Sequence, residues 1–421
     1  MTRTASGHRM APVDAQFYWM SAKLPNDEFL LYAFDGEPAD CALAIEQVLQ
    51  RARACPQLAM RVDDRNPLTY PRWVPMAVMP EQVIRHDLDD NSWDGCLAAV
   101  AGLADGQLNI RETPWRIHVF TPVLGIPGVA GPGAVAVMQA PHALADGVRA
   151  SAMAAWLFGR ADPVPETQLF GVGFPPWRAV EAVRSHRQLV RDIRAELLAP
   201  GVGPWPLLPT NARPDGARSV RTLVRRSSQL PGPTVTVGVL TAVSTALSNL
   251  VDNEADSLGA EVPMAKPGVP HAQNHFGNVS VGLYPKLAPA DRAERIAADL
   301  ANGRRRSEHP ATGCADRAFA SVPAALLRWG VAQFDPDARP PRVSGNTVVS
   351  SVNRGAADLS FGGARVVLTA GYPGLTPAMG LTHGVHGIGD TVAISVHASA
   401  SVFHSAGGDL DAYVRLLDAA L

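Results

Sequence analysis

The spacing of apolar residues along the chain predicts a mixture of helices and strands. Residues 40–55 carry apolar side chains at helical spacing behind Asp40, a residue type that caps helix N-termini. Residues 113–122 alternate apolar and polar positions, which indicates a strand with one buried face. Residues 134–138 are continuously apolar and predict a central strand. From Gly147 onwards, apolar and small residues return at helical spacing and predict a second helix.

The middle of the chain interrupts this pattern. Residues 197–233 are rich in Pro, Gly, Arg and Ser and show no sustained periodicity, which predicts a crossover between two halves. We therefore expect an N-terminal half over residues 1–196, which carries a His-x-x-x-Asp-Gly motif, and a C-terminal half over residues 234–421.

The C-terminal half is expected to contain both element types as well. Helices are predicted over residues 234–251, 290–306, 321–334 and 408–421. Strands are predicted over residues 279–283, 347–353, 363–370 and 391–398. Strands covered by helices in both halves predict an α/β or α+β layered fold.

Composition narrows the class of protein. The chain has 421 residues, of which 47% are hydrophobic, and this length allows two or three domains with cores of their own. With a net charge of −2 the protein has no overall positive potential to attract nucleic acid or acidic lipid. We therefore expect no nucleic acid partner and at most peripheral membrane contact. The four cysteines lack metal-binding spacing and the N-terminus lacks a signal-peptide core, so we expect a cytoplasmic protein with reduced thiols.

The candidate chemistry centres on His142. The predicted strand ends just before it and the predicted helix begins at Gly147, so the imidazole is expected on a strand-to-helix turn. Histidine is the side chain whose ordinary pKa lets it accept a proton near pH 7. Gly147 is expected to permit a backbone geometry closed to other residues and to leave space beside the ring. The alternative is a chance motif, with His142 a satisfied histidine at a strand end.

Asp146 is the second polar residue of the motif, and we assign it a structural role. A carboxylate four residues after the base can anchor the turn through an arginine, for which Arg365 and Arg116 are the candidates. Asp146 can also cap the helix that follows, and both roles can coexist.

Four further segments, before and after this motif along the chain, are also informative. Residues 14–17 read Asp-Ala-Gln-Phe, residues 113–119 read Thr-Pro-Trp-Arg-Ile-His-Val, residues 277–285 begin with Gly-Asn and end with Leu-Tyr-Pro, and residues 349–353 read Val-Ser-Ser-Val-Asn. In this order the segments resemble the wax ester synthase/diacylglycerol acyltransferase family. That family lies within the superfamily of chloramphenicol acetyltransferase and peptide-synthetase condensation domains.

The resemblance implies two chloramphenicol acetyltransferase-like halves that form a pseudo-dimer around a central cleft or tunnel, with His142 at its centre. It implies an acyl-CoA-dependent O-acyltransferase, in which His142 deprotonates a hydroxyl acceptor that attacks the thioester. Acyl-CoA is then a substrate, and no cofactor or metal is expected. Two alternatives stay open. One is a condensation-type enzyme of a specialised pathway, with a donor bound to a carrier protein and an amine or hydroxyl acceptor; the other is a catalytically degenerate member that binds an acyl ligand or serves as a scaffold.

Two positions depart from the family pattern. Pro141 stands where the family has a first histidine, and residues 234–238 replace an Asn-Asp pair that opens a helix. Thr236 is one candidate for the place of that asparagine beside the oxyanion, and another residue is the alternative. The candidate substrate contacts are Thr236, Asn278, Trp115 and Ser350. For Asn278 the alternative is a turn residue that closes a loop, and for Trp115 it is a place in the core.

Two arginine clusters are candidate contacts for coenzyme A phosphates or a carrier protein. They are residues 304–306 and the set Arg218, Arg221, Arg225 and Arg226. A solvated helix end or a flexible linker explains them equally well.

His118 is expected to be a strand-face residue rather than a second base, and the remaining histidines match no metal-binding spacing.

Overall fold

The computed structural model describes residues 7–171, 173–251 and 257–421, and in these the chain forms layers of strands and helices. The strands are, in chain order, β1 (His8–Arg9), β2 (Asp27–Asp35), β3 (Met60–Asp63), β4 (Arg72–Pro75), β5 (Val83–His86), β6 (Arg116–Val123), β7 (Gly133–Pro141), β8 (Trp205–Pro206), β9 (Arg218–Arg226), β10 (Gly259–Ala265), β11 (Phe276–Gly282), β12 (Arg342–Val343), β13 (Thr347–Asn353), β14 (Ser360–Phe361), β15 (Ala364–Gly371), β16 (Leu381–Ile388) and β17 (Thr391–Ser399). The α-helices are α1 (Pro12–Met20), α2 (Cys41–Ala54), α3 (Trp93–Leu103), α4 (Gly147–Leu157), α5 (Pro175–Arg194), α6 (Val235–Leu250), α7 (Pro289–Glu308), α8 (Pro310–Ala320), α9 (Ala324–Ala332), α10 (Ala400–Ala406) and α11 (Leu410–Ala420).

The first sheet is six-stranded, in the order β14-β15-β2-β7-β6-β5. Strand β7 is central and all of its residues are buried, as the continuous apolar run predicts. Alternate residues of β2 face opposite ways: Leu30 and Tyr32 pack with residues of α2 and α4, while Leu31 and Ala33 pack with residues of α3. Helices therefore cover both faces, and the polar ends of the strands remain available for a site.

The second sheet is also six-stranded, in the order β11-β10-β13-β16-β17-β9. Its core contains apolar side chains of α6, α7 and α11 packed on strands of the sheet. Strands β15 of the first sheet and β16 of the second pack closely enough that a Cβ added at Gly371 would lie 2.7 Å from Cε1 of His386. The two sheets thus meet through close backbone contact.

The predicted crossover does not separate the strands of the first sheet from those of the second. Strands β14 and β15 return to the first sheet from far along the chain, and β9, within residues 197–233, forms an edge of the second sheet. Periodicity shows that a segment is a strand, but not which sheet it joins. The division into residues 1–196 and 234–421 stays a prediction. Each sheet nevertheless contains strands from outside the half of the chain expected to form it.

Most predicted elements are present, with shifted ends. Asp40 caps α2 by accepting a hydrogen bond from the backbone N–H of Leu43 at 2.9 Å. The strand predicted over residues 279–283 begins earlier, at Phe276, and the helix predicted over residues 321–334 is confined to Ala324–Ala332. Helix α5 was not predicted, and none of its residues is buried.

Three features of the described residues concern membrane spans, thiols and metal ligands. None of the helices in the described ranges is both long and apolar enough to cross a bilayer. All four cysteines are free thiols. The described residues contain no group of three or more His, Cys, Asp or Glu side chains arranged to hold a metal ion.

Candidate active site

His142 lies on the turn between β7 and α4. Its backbone N–H donates to the carbonyl of Asn26 at 3.2 Å, and its own carbonyl accepts a hydrogen bond from the side-chain amide of Asn274 at 2.7 Å. The side chain is 20% exposed. Hydrogen bonds to both backbone groups of His142 therefore fix the turn, while part of the imidazole remains accessible to a small molecule.

The imidazole packs against two aromatic rings that adjoin each other, with centroids 6.2 Å apart. The ring of Phe17, on α1, stacks on it with a centroid separation of 4.2 Å and an interplanar angle of 14°. The ring of Phe276, at the start of β11, lies at 5.5 Å and 17°. Such stacking restricts rotation of the ring, which is what a general base needs in order to point one nitrogen at its substrate.

Glu28, on β2, is the acidic neighbour of His142. Its Oε1 lies 3.5 Å from Nε2 of His142, and its Oε2 is buried without a hydrogen-bond partner among the described residues. Burial raises the pKa of Glu28 to about 7, and the nearby His142 opposes that rise. The site therefore contains a carboxyl group beside the imidazole that the sequence did not reveal.

Asp146 holds the motif through its two carboxylate oxygens. Oδ1 accepts a hydrogen bond from the backbone N–H of Arg149 at 2.9 Å, which caps α4, and Oδ2 accepts one from the backbone N–H of His275 at 2.8 Å. The expected arginine partners were wrong, because backbone groups occupy both oxygens; Arg365 is exposed on β15 and Arg116 lies in β6. The capping role is present, and it also links the motif to the loop before β11.

Asp14 organises the same loop from the other side. Its buried carboxylate accepts hydrogen bonds from the backbone N–H groups of Gln273 and Asn274, at 2.9 and 3.0 Å, and from the Asn274 side chain at 2.9 Å. That Asn274 amide also donates to the carbonyl of His142. Residues 14–17, noticed in the sequence only as part of a resemblance, thus supply both the loop anchor Asp14 and the stacking ring of Phe17.

Gly147 does not play the conformational role expected of it. It is the first residue of α4 and its φ lies outside the left-handed region. A Cβ added there would lie 3.6 Å from Cγ2 of Val352, an ordinary van der Waals contact. The expectation of a special backbone geometry was wrong, because a helical first turn accepts any residue.

The predicted substrate contacts are scattered. The hydroxyls of Thr236, on α6, and Ser351, on β13, are hydrogen-bonded at 2.8 Å, and partly buried Ser350 precedes Ser351. Strand β13 also carries Val352, which faces Gly147. Because side chains alternate along a strand, Ser350 is expected on the same face as Val352, and Ser351 on the opposite face.

Trp115 and Asn278 do not join the motif. Trp115 is fully buried and its indole N–H donates to the carbonyl of Leu58 at 2.8 Å, so this residue belongs to the core and offers no surface to a substrate. Asn278, on the edge strand β11, donates to Oε1 of Glu261 at 2.5 Å. Asn278 is therefore a strand residue paired with its neighbour rather than the closing residue of a loop.

Two pockets lie near the loop before β11. A small pocket of about 90 Å³ is lined by Asn274, His275, Lys266 and Phe170, among others. A groove of about 340 Å³ is lined by Asn278, Lys266 and Arg306, among others. His142 lines neither, although Asn274 and His275 connect the small pocket to the turn that carries it.

The predicted anion-binding arginines differ in their surroundings. Those of β9 all face carboxylates: the ion pairs are Arg218 with Asp105, Arg221 with Asp411, Arg225 with Asp418 and Arg226 with Asp390. Arginines already paired are less available to a phosphate. Arg306, at the end of α7, lines the groove described above.

His118 is part of a buried polar chain rather than of the site. Its Nδ1 lies 2.8 Å from Nε2 of His86, and its Nε2 lies 2.9 Å from Oε1 of Gln139, which in turn donates to Asp27. Burial lowers the pKa of His118 to about 4. A neutral, hydrogen-bonded imidazole on the other face of the sheet fits the strand-face role expected of it.

The three-dimensional arrangement places this chain among known folds. Neither the family models nor the curated proteins compared with the sequence give a match. The structure is similar to that of wax ester synthase/diacylglycerol acyltransferase from Marinobacter aquaeolei VT8, with 17% identity, a TM-score of 0.61 and coverage of 98% of this chain and 97% of that chain.

Two condensation domains are similar to a comparable degree. The first condensation domain of the CDA synthetase shares 14% identity, with a TM-score of 0.59 and coverage of 99% of this chain and 97% of that one. The starter condensation domain of rhizomide synthetase, in complex with C8-CoA and Leu-SNAC, shares 14% identity, with a TM-score of 0.57 and coverage of 99% and 95%. The chain therefore has the condensation-domain and chloramphenicol acetyltransferase-like fold that the sequence resemblance implies.

Proposed function

We propose that this protein is an acyltransferase in which His142 acts as general base. The observation that supports the proposal is the setting of its imidazole: partly exposed, on a hydrogen-bonded turn, and stacked on Phe17 with Phe276 beside it. The similarity to folds of acyltransferases and condensation domains is in keeping with the same reaction class.

The proposed reaction needs no acyl-enzyme intermediate. His142 takes a proton from the acceptor as the acceptor attacks the carbonyl carbon of an acyl thioester, and the imidazolium then gives this proton to the departing thiolate. A positioned base of this kind contributes roughly 10²- to 10⁴-fold to the rate. Asp146 and Asn274 act as positioning residues, because they hold the turn rather than contact the substrate.

The negative charge that develops on the carbonyl oxygen needs a hydrogen-bond donor. The hydroxyl of Thr236, hydrogen-bonded to that of Ser351 at 2.8 Å, is the proposed source. This assignment gives Thr236 the place that an asparagine takes in the family pattern.

For the donor we propose acyl-CoA, with a hydroxyl acceptor as the sequence resemblance implies. A condensation-type reaction, with a carrier-bound donor and an amine or hydroxyl acceptor, is the second candidate. It is favoured by the similarity to condensation domains, whose TM-scores of 0.59 and 0.57 are close to the 0.61 of the wax ester synthase.

A panel of thioesters and acceptors tests the proposal. Acetyl-, octanoyl- and palmitoyl-CoA, and the same acyl groups on a phosphopantetheinylated carrier protein, are each incubated with alcohols and amines while free thiol is measured. Thiol release that depends on the acceptor and yields an ester or amide is expected. Release only from the carrier-bound donors would select the condensation-type reaction, and no release from any pair would contradict acyl transfer.

A further inference from the structure

The site contains two proton-accepting groups, His142 and Glu28, whose Nε2 and Oε1 atoms lie 3.5 Å apart. We propose that Glu28 is the residue that selects a cationic amine as acceptor, by binding the ammonium group and accepting its first proton. The inference rests on the proposed acyl transfer by His142, and it selects an amine in place of the hydroxyl acceptor that the sequence resemblance implies.

The number of protons to be removed separates the two acceptor classes. An alcohol loses a single proton when it attacks a carbonyl, so one base is sufficient. An alkylamine is an ammonium ion at neutral pH, because its pKa is near that of lysine, about 10.4. It must lose one proton before it has a lone pair to donate and a second as the amide forms. A site with two adjacent proton acceptors matches this requirement.

The ammonium ion gives one proton to the carboxylate of Glu28 and becomes a neutral amine. Its lone pair forms the C–N bond at the thioester carbonyl while His142 takes a second proton from nitrogen. The tetrahedral intermediate expels the thiolate with cleavage of the C–S bond, and the imidazolium protonates that thiolate. The products are an amide and a free thiol, and protonated Glu28 releases its proton to solvent.

The surroundings of Glu28 suit both halves of this cycle. The charged groups that act on it are His142 and Asp146 from the turn and α4, Arg354 after β13, and Asp27 on its own strand. Arg354 is buried over the ring of Tyr32, at 5.0 Å from the ring centroid, and carries a positive charge toward this region. With burial raising the pKa of Glu28 to about 7, the group can both accept a proton from an alkylammonium ion and return it to water near neutral pH.

The free Oε2 atom of Glu28 supports a ligand role. In the described residues it has no hydrogen-bond partner, although it is buried. Buried carboxylate oxygens are normally paired, so an unpaired one beside a partly exposed base is suited to a donor brought by the substrate. An ammonium group has three such donors and can contact the carboxylate while its nitrogen faces the imidazole.

Three acceptors of similar shape test the inference: benzylamine, which is cationic at pH 7.5, and aniline and benzyl alcohol, which are neutral. The donor is whichever of acetyl-, octanoyl- and palmitoyl-CoA the wild type uses best. In Glu28→Gln, kcat/KM for benzylamine should fall by about 100-fold or more, the contribution of a positioned base, while the values for aniline and benzyl alcohol stay within about threefold. Raising the pH toward 10 should restore benzylamine transfer by the variant, because solution then supplies the neutral amine.

Controls separate this role from other causes. Asp35→Asn removes the exposed carboxyl at the other end of the same strand and should leave the acceptor preference unchanged. Glu28→Asp keeps a carboxyl and should retain part of the benzylamine activity, and it replaces Glu28→Gln if that variant does not fold. An equal loss with all three acceptors would overturn the inference, because Glu28 would then only orient the imidazole. Wild-type transfer to benzyl alcohol but not to benzylamine would also overturn it, whereas no transfer to any acceptor would reject the proposed function itself.

Discussion

Replacement of Asp146 by alanine should destabilise the protein more than loss of a helix cap alone. The side chain accepts one hydrogen bond from the first turn of α4 and a second from the loop before β11. Loss of an N-cap costs typically about 1 kcal/mol. The N–H of His275, left without an acceptor in a partly buried position, adds roughly 1–3 kcal/mol. We therefore expect the free energy of unfolding to fall by about 3 kcal/mol.

Asp40 offers a matched control. It caps α2 through the N–H of Leu43 at 2.9 Å, in an exposed position, and among the described residues its side chain has no other hydrogen-bond partner. Asp40→Ala should cost only about 1 kcal/mol. Urea unfolding of both variants gives the two free energies. Thermal unfolding should show a fall of about 3 °C for Asp146→Ala, given roughly 2.1 cal/mol/K of unfolding entropy per residue over 421 residues.

Activity provides the second readout for Asp146. Because the turn that carries His142 loses its link to the loop, kcat/KM should fall by about tenfold or more in Asp146→Ala, and remain unchanged in Asp40→Ala. A loss of stability no larger than that of Asp40→Ala would refute the reasoning. It would mean that the hydrogen bond to His275 contributes nothing.

Three further predictions concern neighbours of the site. Phe17→Leu removes a stacking ring from His142 and should lower kcat/KM by about 2- to 10-fold, the equivalent of a 0.5–1.5 kcal/mol aromatic contact, whereas Trp19→Leu on the same helix should not. Gly147→Ala should keep its activity within about threefold and raise stability by up to about 1 kcal/mol, and a loss of stability in urea would show that glycine is required there. Burial raises the pKa of Asp14 to about 7, so the folded protein retains a proton that the unfolded chain releases near pH 4, and the stability this confers is lost as the pH rises from about 4 to 7. Urea unfolding at pH 5 and pH 8 should therefore show the stability of Asp14→Asn improving relative to wild type at the higher pH; the opposite trend would contradict the assignment.

Local sequence patterns predicted the turn correctly. The apolar run of β7, the capping residue Asp146 and the small and apolar residues of α4 all act within a few positions of one another. Such short-range preferences can be identified without knowledge of the partner segments. The motif order also implied the fold, because each segment kept its place along the chain.

The position of Glu28 beside His142 depends on pairing between distant strands, which the sequence did not reveal. Glu28 lies beside His142 because β2 pairs with β7 in a register that sets Glu28 opposite Ala140, more than a hundred positions along the chain. No periodicity within residues 27–35 specifies that partner. The acidic pair at positions 27 and 28, just before an apolar run, was the available signal of a strand end at a polar edge.

The structural role of Asp14 was hidden for the same reason. Its three hydrogen bonds go to a loop about 260 positions away. In the sequence, Asp14 stood out only as part of the segment that resembles a known family. That resemblance does not indicate which residues Asp14 contacts. Arg365 and Arg116 were wrongly expected to pair with Asp146, since spacing cannot show that backbone N–H groups already occupy a carboxylate.

The most direct test of His142 as general base is the rate of thiol release from the best thioester and acceptor pair, compared in wild type, His142→Ala and a control. The exposed His404 provides the control variant, His404→Ala. We predict that kcat/KM falls by about 100-fold or more in His142→Ala, with the free energy of unfolding little changed, and that the control retains full activity. Turnover by His142→Ala equal to that of the wild type would contradict the proposed mechanism.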